Sequence, residues 1–172
     1  MSNPTIALII DCSGSMVQSG YLPYAKTDAC TFVNIMQNND GCSVIKFEST
    51  AAVVQALLTL ANQNTKNSVC TLIQNIPGGN MTDMGDAIKL GTAQIGSAAV
   101  PRGMVLLSDG MWNQGPDPMQ NLPSNIPIYT IALGNNGQLQ LMQNIATQTN
   151  GKYNFAPGYR QLAQIYNNII SQ

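Results

Sequence analysis

The chain of 172 residues contains no histidine. Ser-His-Asp and Cys-His nucleophilic sites need that imidazole, and many zinc sites use it as a ligand. The sequence therefore excludes those enzyme classes and histidine-ligated zinc. The four cysteines, Cys12, Cys30, Cys42 and Cys70, show no Cys-x-x-Cys spacing, and we expect them to be mainly buried free thiols.

Charge is scarce as well. Charged residues make up 9% of the chain, and the net charge is −1. Without a basic patch we expect no nucleic-acid partner, and without a long apolar run we expect no membrane insertion. Residues 1–4 lack the basic and apolar regions of a signal peptide, which, with unpaired cysteines, favours the cytoplasm. About one residue in five is Asn or Gln, which keeps a secreted or cell-surface setting open.

The most informative segment is residues 9–16. A run of aliphatic residues typical of a buried strand stops at Asp11, and two hydroxyl residues, Ser13 and Ser15, follow at alternate positions. One carboxylate and two neutral oxygens beyond a strand end suit a hard cation such as Mg²⁺. The same residue types are also common in ordinary strand-to-loop turns, so this segment alone leaves both interpretations open.

Two later segments favour the metal. Residues 78–86 place Thr82 in a glycine-rich turn before a helical pattern, and residues 104–110 form a second apolar strand that ends at Asp109-Gly110. Together with residues 9–16 they supply five oxygen ligands in three loops.

The three segments resemble the metal-ion-dependent adhesion site of von Willebrand factor type A domains, which reads Asp-x-Ser-x-Ser, then Thr, then Asp. Asp11, Ser13, Ser15, Thr82 and Asp109 fill the five positions in that order. The resemblance covers nearly the whole chain. It implies direct contact of the ion with the three hydroxyls, contact partly through water with the two carboxylates, and Mg²⁺ as the ion, with Mn²⁺ or Ca²⁺ possible. It also implies that an Asp or Glu of a partner protein completes the coordination.

One departure concerns the threonine loop. That loop often reads Gly-Gly-Thr in the family, whereas Asn80 and Met81 separate the glycines from Thr82 here. The departure leaves the path of the loop open more than the identity of the ligand.

Strand and helix patterns alternate along the chain. Apolar runs predict six strands, at residues 5–10, 42–47, 51–57, 103–108, 128–133 and 152–155. Helical spacing predicts five helices, at residues 23–37, 66–76, 84–95, 139–149 and 159–170. Residues 48–50 form too short a link for a parallel crossover, so we expect a hairpin there.

This alternation predicts a single α/β domain over residues 1–172 with a three-layer, doubly wound, Rossmann-like fold. We expect a mainly parallel six-stranded sheet of order 3-2-1-4-5-6, with one antiparallel edge strand and helices on both faces. In that order strands 1 and 4 are neighbours, and ligands bind beyond the carboxyl ends of the strands where the order reverses. Asp11 and Asp109 would meet there.

The acidic residues cluster around the same loops. Of eight acidic residues, five lie in or beside the three segments: Asp11, Asp83, Asp86, Asp109 and Asp117. A divalent cation would offset their repulsion. For Asp83, Asp86 and Asp117 we favour the simpler interpretation, that they occupy helix N-termini.

Apolar side chains also flank the predicted ligands. Met81, Met111 and Trp112 lie within a few residues of Thr82 or Asp109. They could form an apolar anchor for a partner protein, as aromatic and Met residues do at interface centres, or they could simply fill the core.

We expect a domain without enzymatic activity that binds another protein through the metal. Two alternatives remain. The ion could serve only to stabilise the fold, or Asp11 could belong to a Mg²⁺-dependent phosphoryl-transfer site of the haloacid dehalogenase type. That family has Asp-x-Asp at this place, whereas Ser13 stands at the second position here, and no Gly-x-x-x-x-Gly-Lys phosphate loop occurs.

Overall fold

The computed structural model describes residues 2–134 and 139–172. Six strands form one sheet of order β3-β2-β1-β4-β5-β6, so the predicted order 3-2-1-4-5-6 is confirmed. The strands are β1 (Thr5–Asp11), β2 (Gly41–Phe47), β3 (Ala51–Thr59), β4 (Arg102–Ser108), β5 (Ile128–Ala132) and β6 (Tyr153–Phe155). All neighbouring pairs are parallel except β2 and β3, which form the predicted antiparallel hairpin.

Helices cover both faces of the sheet. They are α1 (Gly14–Gln18), α2 (Leu22–Ile35), α3 (Gln63–Gln74), α4 (Met84–Ile95), α5 (Leu139–Gln148) and α6 (Tyr159–Ile170), and a 3₁₀ turn spans Pro118–Gln120. One core cluster lies under α2, α3 and α6, and a second lies under α4 and α5. The central strand β1 contributes alternate residues to both clusters, which explains its unbroken aliphatic run.

Helix boundaries differ from the predicted ones where polar residues hide the period. The one-turn helix α1 lies within the first ligand loop and was not predicted. Helix α3 begins at Gln63 rather than at residue 66, because the Asn62 side chain accepts a 3.0 Å hydrogen bond from the Thr65 N–H and caps it. Among the residues described, no helix is both long and apolar enough to cross a bilayer.

The amino edge of the sheet holds both ends of the described chain. The buried Asp40 carboxylate accepts hydrogen bonds from the Asn3 side chain at 2.9 Å and from the Tyr166 hydroxyl of α6 at 2.7 Å. The Gln172 side chain donates a 2.7 Å hydrogen bond to the Arg102 carbonyl at the start of β4. The carboxyl edge, where the predicted ligands lie, is the opposite one.

Candidate metal-binding site

Asp11 ends β1 at the carboxyl edge and is fully buried. Its Oδ1 accepts a 2.8 Å hydrogen bond from the Ser13 N–H, and its Oδ2 accepts a 2.7 Å bond from the Ser108 hydroxyl. Burial raises the pKa of this carboxyl from 3.8 to about 6; the hydrogen bonds from Ser13 and Ser108 act in the opposite direction, and the charge of Asp109 adds to the rise. The protein thus holds a carboxylate in a place that disfavours its charge.

Ser13 and Ser15 lie at the start of α1, directly after Asp11. Their hydroxyl oxygens are 3.2 Å apart, so both can face one ion. Gly14 between them lies close to the threonine loop, and a Cβ atom there would come within 2.9 Å of the Asn80 carbonyl oxygen. The glycine therefore lets the two loops meet.

Backbone hydrogen bonds join the threonine loop to the first loop. The Gly79 N–H donates to the Cys12 carbonyl at 2.7 Å, and the Gly14 N–H donates to the Asn80 carbonyl at 2.8 Å. Thr82, two residues beyond Asn80, is 1% exposed. The inserted Asn80 thus becomes part of the contact between the loops and does not divert Thr82 away from them.

The third loop reaches Thr82 from the other side. The Thr82 N–H donates a 2.9 Å hydrogen bond to the Asn113 side-chain oxygen, and the Thr82 carbonyl accepts 3.3 Å bonds from the N–H groups of Asn113 and Gln114. All three predicted loops therefore converge, and the structure brings the five predicted ligand residues to one edge of the sheet.

Asp109 carries the clearest sign of a ligand. It is fully buried one residue beyond β4, and its Oδ1 accepts a 3.2 Å hydrogen bond from the Met111 N–H. Its Oδ2 is buried and, within the described part of the chain, has no hydrogen-bond partner. A buried acceptor without a partner is costly, and native proteins usually satisfy it with a water or an ion.

The donor set fits a hard cation. It comprises two carboxylates and three hydroxyl groups, all oxygen, which suits Mg²⁺, Mn²⁺ or Ca²⁺ better than a soft metal. Among the described residues, no group of three or more His, Cys, Asp or Glu side chains is arranged to hold a metal. Any cation here would therefore depend on the hydroxyl groups.

Three supporting residues were not identified from sequence. Ser108 holds Asp11, and Asn113 holds Thr82. Glu48 lies in the β2–β3 turn, and its backbone carbonyl accepts a 2.7 Å hydrogen bond from the Asp83 N–H. The pKa of the Glu48 carboxyl is lowered, mainly by a hydrogen bond from the Ser49 N–H and to a smaller extent by one from the Asn80 N–H. Ser108 directly precedes Asp109 in the sequence, and this position could have identified it as a supporting residue. No sequence pattern identifies Asn113 or Glu48.

The other three acidic residues of the predicted cluster lie at helix ends, as we favoured from the sequence. Asp83 caps α4 by accepting a 3.3 Å bond from the Asp86 N–H, and Asp86 lies in the first turn of that helix. Asp117 caps the 3₁₀ turn by accepting a 2.9 Å bond from the Met119 N–H. These three carboxylates serve helix ends.

The three apolar side chains that flank the predicted ligands differ in their exposure. Met81 and Met111 are 39% and 37% exposed at the site edge. Trp112 is half-buried, packs against the core cluster under α4 and α5, and donates a 2.8 Å hydrogen bond to the Gln114 carbonyl. The two methionines are accessible to a partner, whereas Trp112 contributes to the core.

Comparisons with known proteins agree with this architecture. The family model of the von Willebrand factor type A domain matches residues 5–168. No curated protein matches the chain.

Solved structures with the same fold are distant in sequence. A von Willebrand factor type A protein from Catenulispora acidiphila is 18% identical, with a TM-score of 0.85 over 98% of this chain and 42% of that one. The conserved hypothetical protein BatB from Bacteroides thetaiotaomicron is 16% identical, with a TM-score of 0.80 over 99% of this chain and 100% of that one. The chain thus spans less than half of the first protein and the whole of the second.

A third similar structure contains a metal. Proximal thread matrix protein 1 from the mussel byssus, with a zinc-occupied MIDAS motif, is 17% identical, with a TM-score of 0.74 over 98% of this chain and 45% of that one. At such identities the likeness extends to the fold alone.

Proposed function

The chain belongs to the von Willebrand factor type A family, and from that premise we propose that it is a Mg²⁺-dependent protein-binding domain without enzymatic activity. Domains of this family generally mediate interactions between proteins. Asp11, Ser13, Ser15, Thr82 and Asp109 would hold the ion.

The observation that carries the proposal is the Oδ2 of Asp109, which has no hydrogen-bond partner among residues 2–134 and 139–172. It is buried in an otherwise well-bonded group of loops, in which both oxygens of Asp11 and the backbone of Thr82 have partners. An unsatisfied carboxylate oxygen, at the edge of the sheet that also holds three hydroxyl residues, is what a cation site would need before the cation binds.

The ligand chemistry points to a partner that is acidic. Three of the five ligands are neutral hydroxyls, so the chain supplies less negative charge than a site made of carboxylates. When bound, the ion would supply a positive centre that attracts one further oxygen anion. A partner's Asp or Glu meets that need, while exposed Met81 and Met111 offer apolar contact beside it.

The bonding of Asp11 argues against phosphoryl transfer. A nucleophilic aspartate needs a free oxygen, whereas Oδ1 and Oδ2 of Asp11 accept bonds from Ser13 and Ser108. Ser13 also lies where a haloacid dehalogenase would have its second aspartate. Both oxygens of Asp11 are therefore held in place by the loops, and in the proposed site this carboxylate would face the ion partly through water.

A purely structural role for the ion is the second candidate. The loops are already linked by hydrogen bonds from Gly79 to Cys12, from Gly14 to Asn80 and from Thr82 to Asn113. Because these contacts are made by the protein itself, holding the loops together does not require a cation. We therefore favour the binding role.

Calorimetric titration tests the metal site. The chelator-treated protein should bind one equivalent of Mg²⁺ or Mn²⁺, and Zn²⁺ is included as a comparison. Thr82→Ala should weaken binding at least about tenfold, since it removes a ligand. Thr92→Ala is the matched control, because the Thr92 hydroxyl donates within α4 to the Ile88 carbonyl at 2.9 Å, away from the loops. Equal affinity in all three proteins would refute the ligand assignment.

Peptide display tests the partner chemistry. Peptides selected on the immobilised domain in Mg²⁺ should share an Asp or Glu at one position and should be released by EDTA. Changing that residue to its amide should abolish binding, and Met111→Ala should weaken binding without changing metal affinity. If the protein binds metal and the selected peptides have neither property, the structural role gains and the binding role fails.

A further inference from the structure

Helices α2 and α3 pack against each other in an antiparallel arrangement. At one end, the Lys26 side chain donates a 3.0 Å hydrogen bond to the Gln74 carbonyl. At the other, the Gln63 side chain donates a 2.9 Å bond to the Asn34 side chain. The residue numbers rise along one helix as they fall along the other, so residue 30 faces residue 70.

Both facing residues are cysteines. The Cys30 Sγ lies 3.7 Å from the Cys70 carbonyl oxygen, and the Cys70 Sγ lies 3.7 Å from the Cys30 carbonyl oxygen. Each sulfur is directed at the other residue, and both residues are half-buried free thiols. Residues 40 positions apart in sequence thus form a half-buried pair of thiols between the two helices.

We propose that Cys30 and Cys70 form an oxidisable dithiol that reacts with small-molecule disulfides, such as oxidised glutathione, to give an intramolecular disulfide between α2 and α3. This property is separate from the metal-binding role. The reciprocal contacts of the two side chains are its structural basis, because a disulfide requires two sulfurs that approach with little movement of the backbone.

The surroundings assign different roles to the two sulfurs. The pKa of Cys30 is lowered, mainly by the neighbouring Cys70 side chain and additionally by a hydrogen bond from the Gln74 amide, whose nitrogen lies 3.8 Å from Sγ. The pKa of Cys70 is raised, mainly by the neighbouring Cys30 side chain and additionally by burial. Cys30 is therefore the first nucleophile, since thiolates attack disulfides.

The reaction balances in two exchanges. The Cys30 thiolate attacks one sulfur of the reagent disulfide, which breaks the reagent S–S bond, forms a mixed disulfide and releases one reagent thiolate. Cys70 then loses its proton and attacks the Cys30 sulfur, which forms the Cys30–Cys70 bond and releases the second reagent thiolate. The protein loses two electrons and two protons, and the reagent disulfide is reduced to two thiols.

The other two cysteines provide an internal comparison. Cys12 and Cys42 are fully buried, and burial raises the pKa of Cys42 to about 12. Buried, protonated thiols react slowly. Oxidation should thus be selective for Cys30 and Cys70.

The experiment treats the folded protein with oxidised glutathione at mildly alkaline pH and digests it without reduction. The expected product is one peptide pair joined through Cys30 and Cys70, with the intact mass lowered by two hydrogen atoms. The bond closes a loop of 40 residues in the unfolded chain, so the melting temperature should rise by about 5–10 °C. A reducing agent should reverse both changes.

Variants separate the proposal from general thiol reactivity. In Cys70→Ser, Cys30 should stop at a stable mixed disulfide with glutathione; in Cys30→Ser, Cys70 should react much more slowly. Cys42→Ala is the control and should cross-link as the parent does. Three outcomes would each overturn the proposal. The parent could form a disulfide between two protein molecules, or it could stop at a mixed disulfide with glutathione. The folded parent could also stay fully reduced under conditions in which its urea-unfolded form oxidises.

Discussion

The Ser108 hydroxyl and the Asp11 carboxylate are joined by a 2.7 Å hydrogen bond that crosses from β4 to β1. The same Ser108 oxygen accepts a 2.9 Å bond from the Gly110 N–H. Ser108 therefore connects the first ligand loop to the third. Since the Ser13 N–H binds the other oxygen of Asp11, the orientation of this carboxylate is fixed from both sides.

Replacing Ser108 by alanine should weaken the candidate metal site without removing a ligand. We expect Ser108→Ala to lose about 1–2 kcal/mol of unfolding free energy and about tenfold in Mg²⁺ affinity, because Asp11 loses a supporting hydrogen bond. Urea denaturation and calorimetry measure the two effects. Ser43→Ala is the matched control: Ser43 is also buried in a strand, and its hydroxyl donates to the Gln55 carbonyl at 2.9 Å. The control should lose stability only; a similar loss of affinity in both would contradict the role of Ser108.

Substitution of a buried residue usually lowers the unfolding free energy, but we expect the opposite or no change at Asp109. Its Oδ2 has no hydrogen-bond partner among the described residues. In EDTA, the unfolding free energy of Asp109→Asn should equal that of the parent or exceed it by about 1–2 kcal/mol, since the change removes a buried carboxylate of which one oxygen has no partner among the described residues. Its side-chain oxygen can still accept from the Met111 N–H. In excess Mg²⁺ the order should reverse, because only the parent gains stability by binding the ion. Melting curves in the two buffers test this, and a variant that unfolds in EDTA would contradict it.

Asn113 should affect metal affinity through the backbone of Thr82. Asn113→Ala removes the acceptor of the Thr82 N–H, so the loop loses one of its supports. We expect Mg²⁺ affinity to fall about tenfold while circular dichroism stays native. Asn121→Ala is the control from the same connection, because the Asn121 amide donates across the 3₁₀ turn to the Asp117 carbonyl at 2.8 Å. Equal effects on affinity would show that the whole connection, rather than the Asn113 contact, governs the site.

Asp28 predicts a dependence of stability on pH. It lines a cavity of about 220 Å³ with Tyr21 and Tyr24, and burial raises its pKa from 3.8 to about 6. The folded state therefore holds the proton more tightly than the unfolded state. The resulting stability is fully present below about pH 4 and is lost as the pH rises through about 6.

Asp28→Asn should remove this contribution. Between pH 4 and pH 7, the unfolding free energy of the variant should rise by about 1 kcal/mol relative to that of the parent, a modest gain because Asp28 is only half-buried and solvent screens its charge. Urea denaturation at both pH values measures the gain, and carbon NMR of the Asp28 carboxyl gives the pKa directly. A difference that stays constant with pH would contradict the prediction.

The sheet order, and the position of the five candidate ligand residues at one edge of the sheet, could be predicted because each depends on local pattern and chain order. Apolar runs located the strands, the three-residue link revealed the hairpin, and the ends of β1 and β4 placed Asp11 beside Asp109. What escaped prediction depends on contacts between distant segments. Asn113 lies 31 residues from Thr82, and Cys30 lies 40 residues from Cys70, without any shared motif. Helix α1 spans five residues, too few to show a helical period.

Residues 3 and 172 are both bonded at the amino edge of the sheet, through Asp40 and Arg102. Tension applied between these two positions would enter and leave the domain at the same side and would load β1 and β4 from one end. The loops at the opposite edge would lie outside that path. Anchoring the protein to a bead or surface through either position would leave the candidate ligands directed away from the support. Force would then act at the amino edge of the sheet, and a partner at the proposed site would bind at the carboxyl edge.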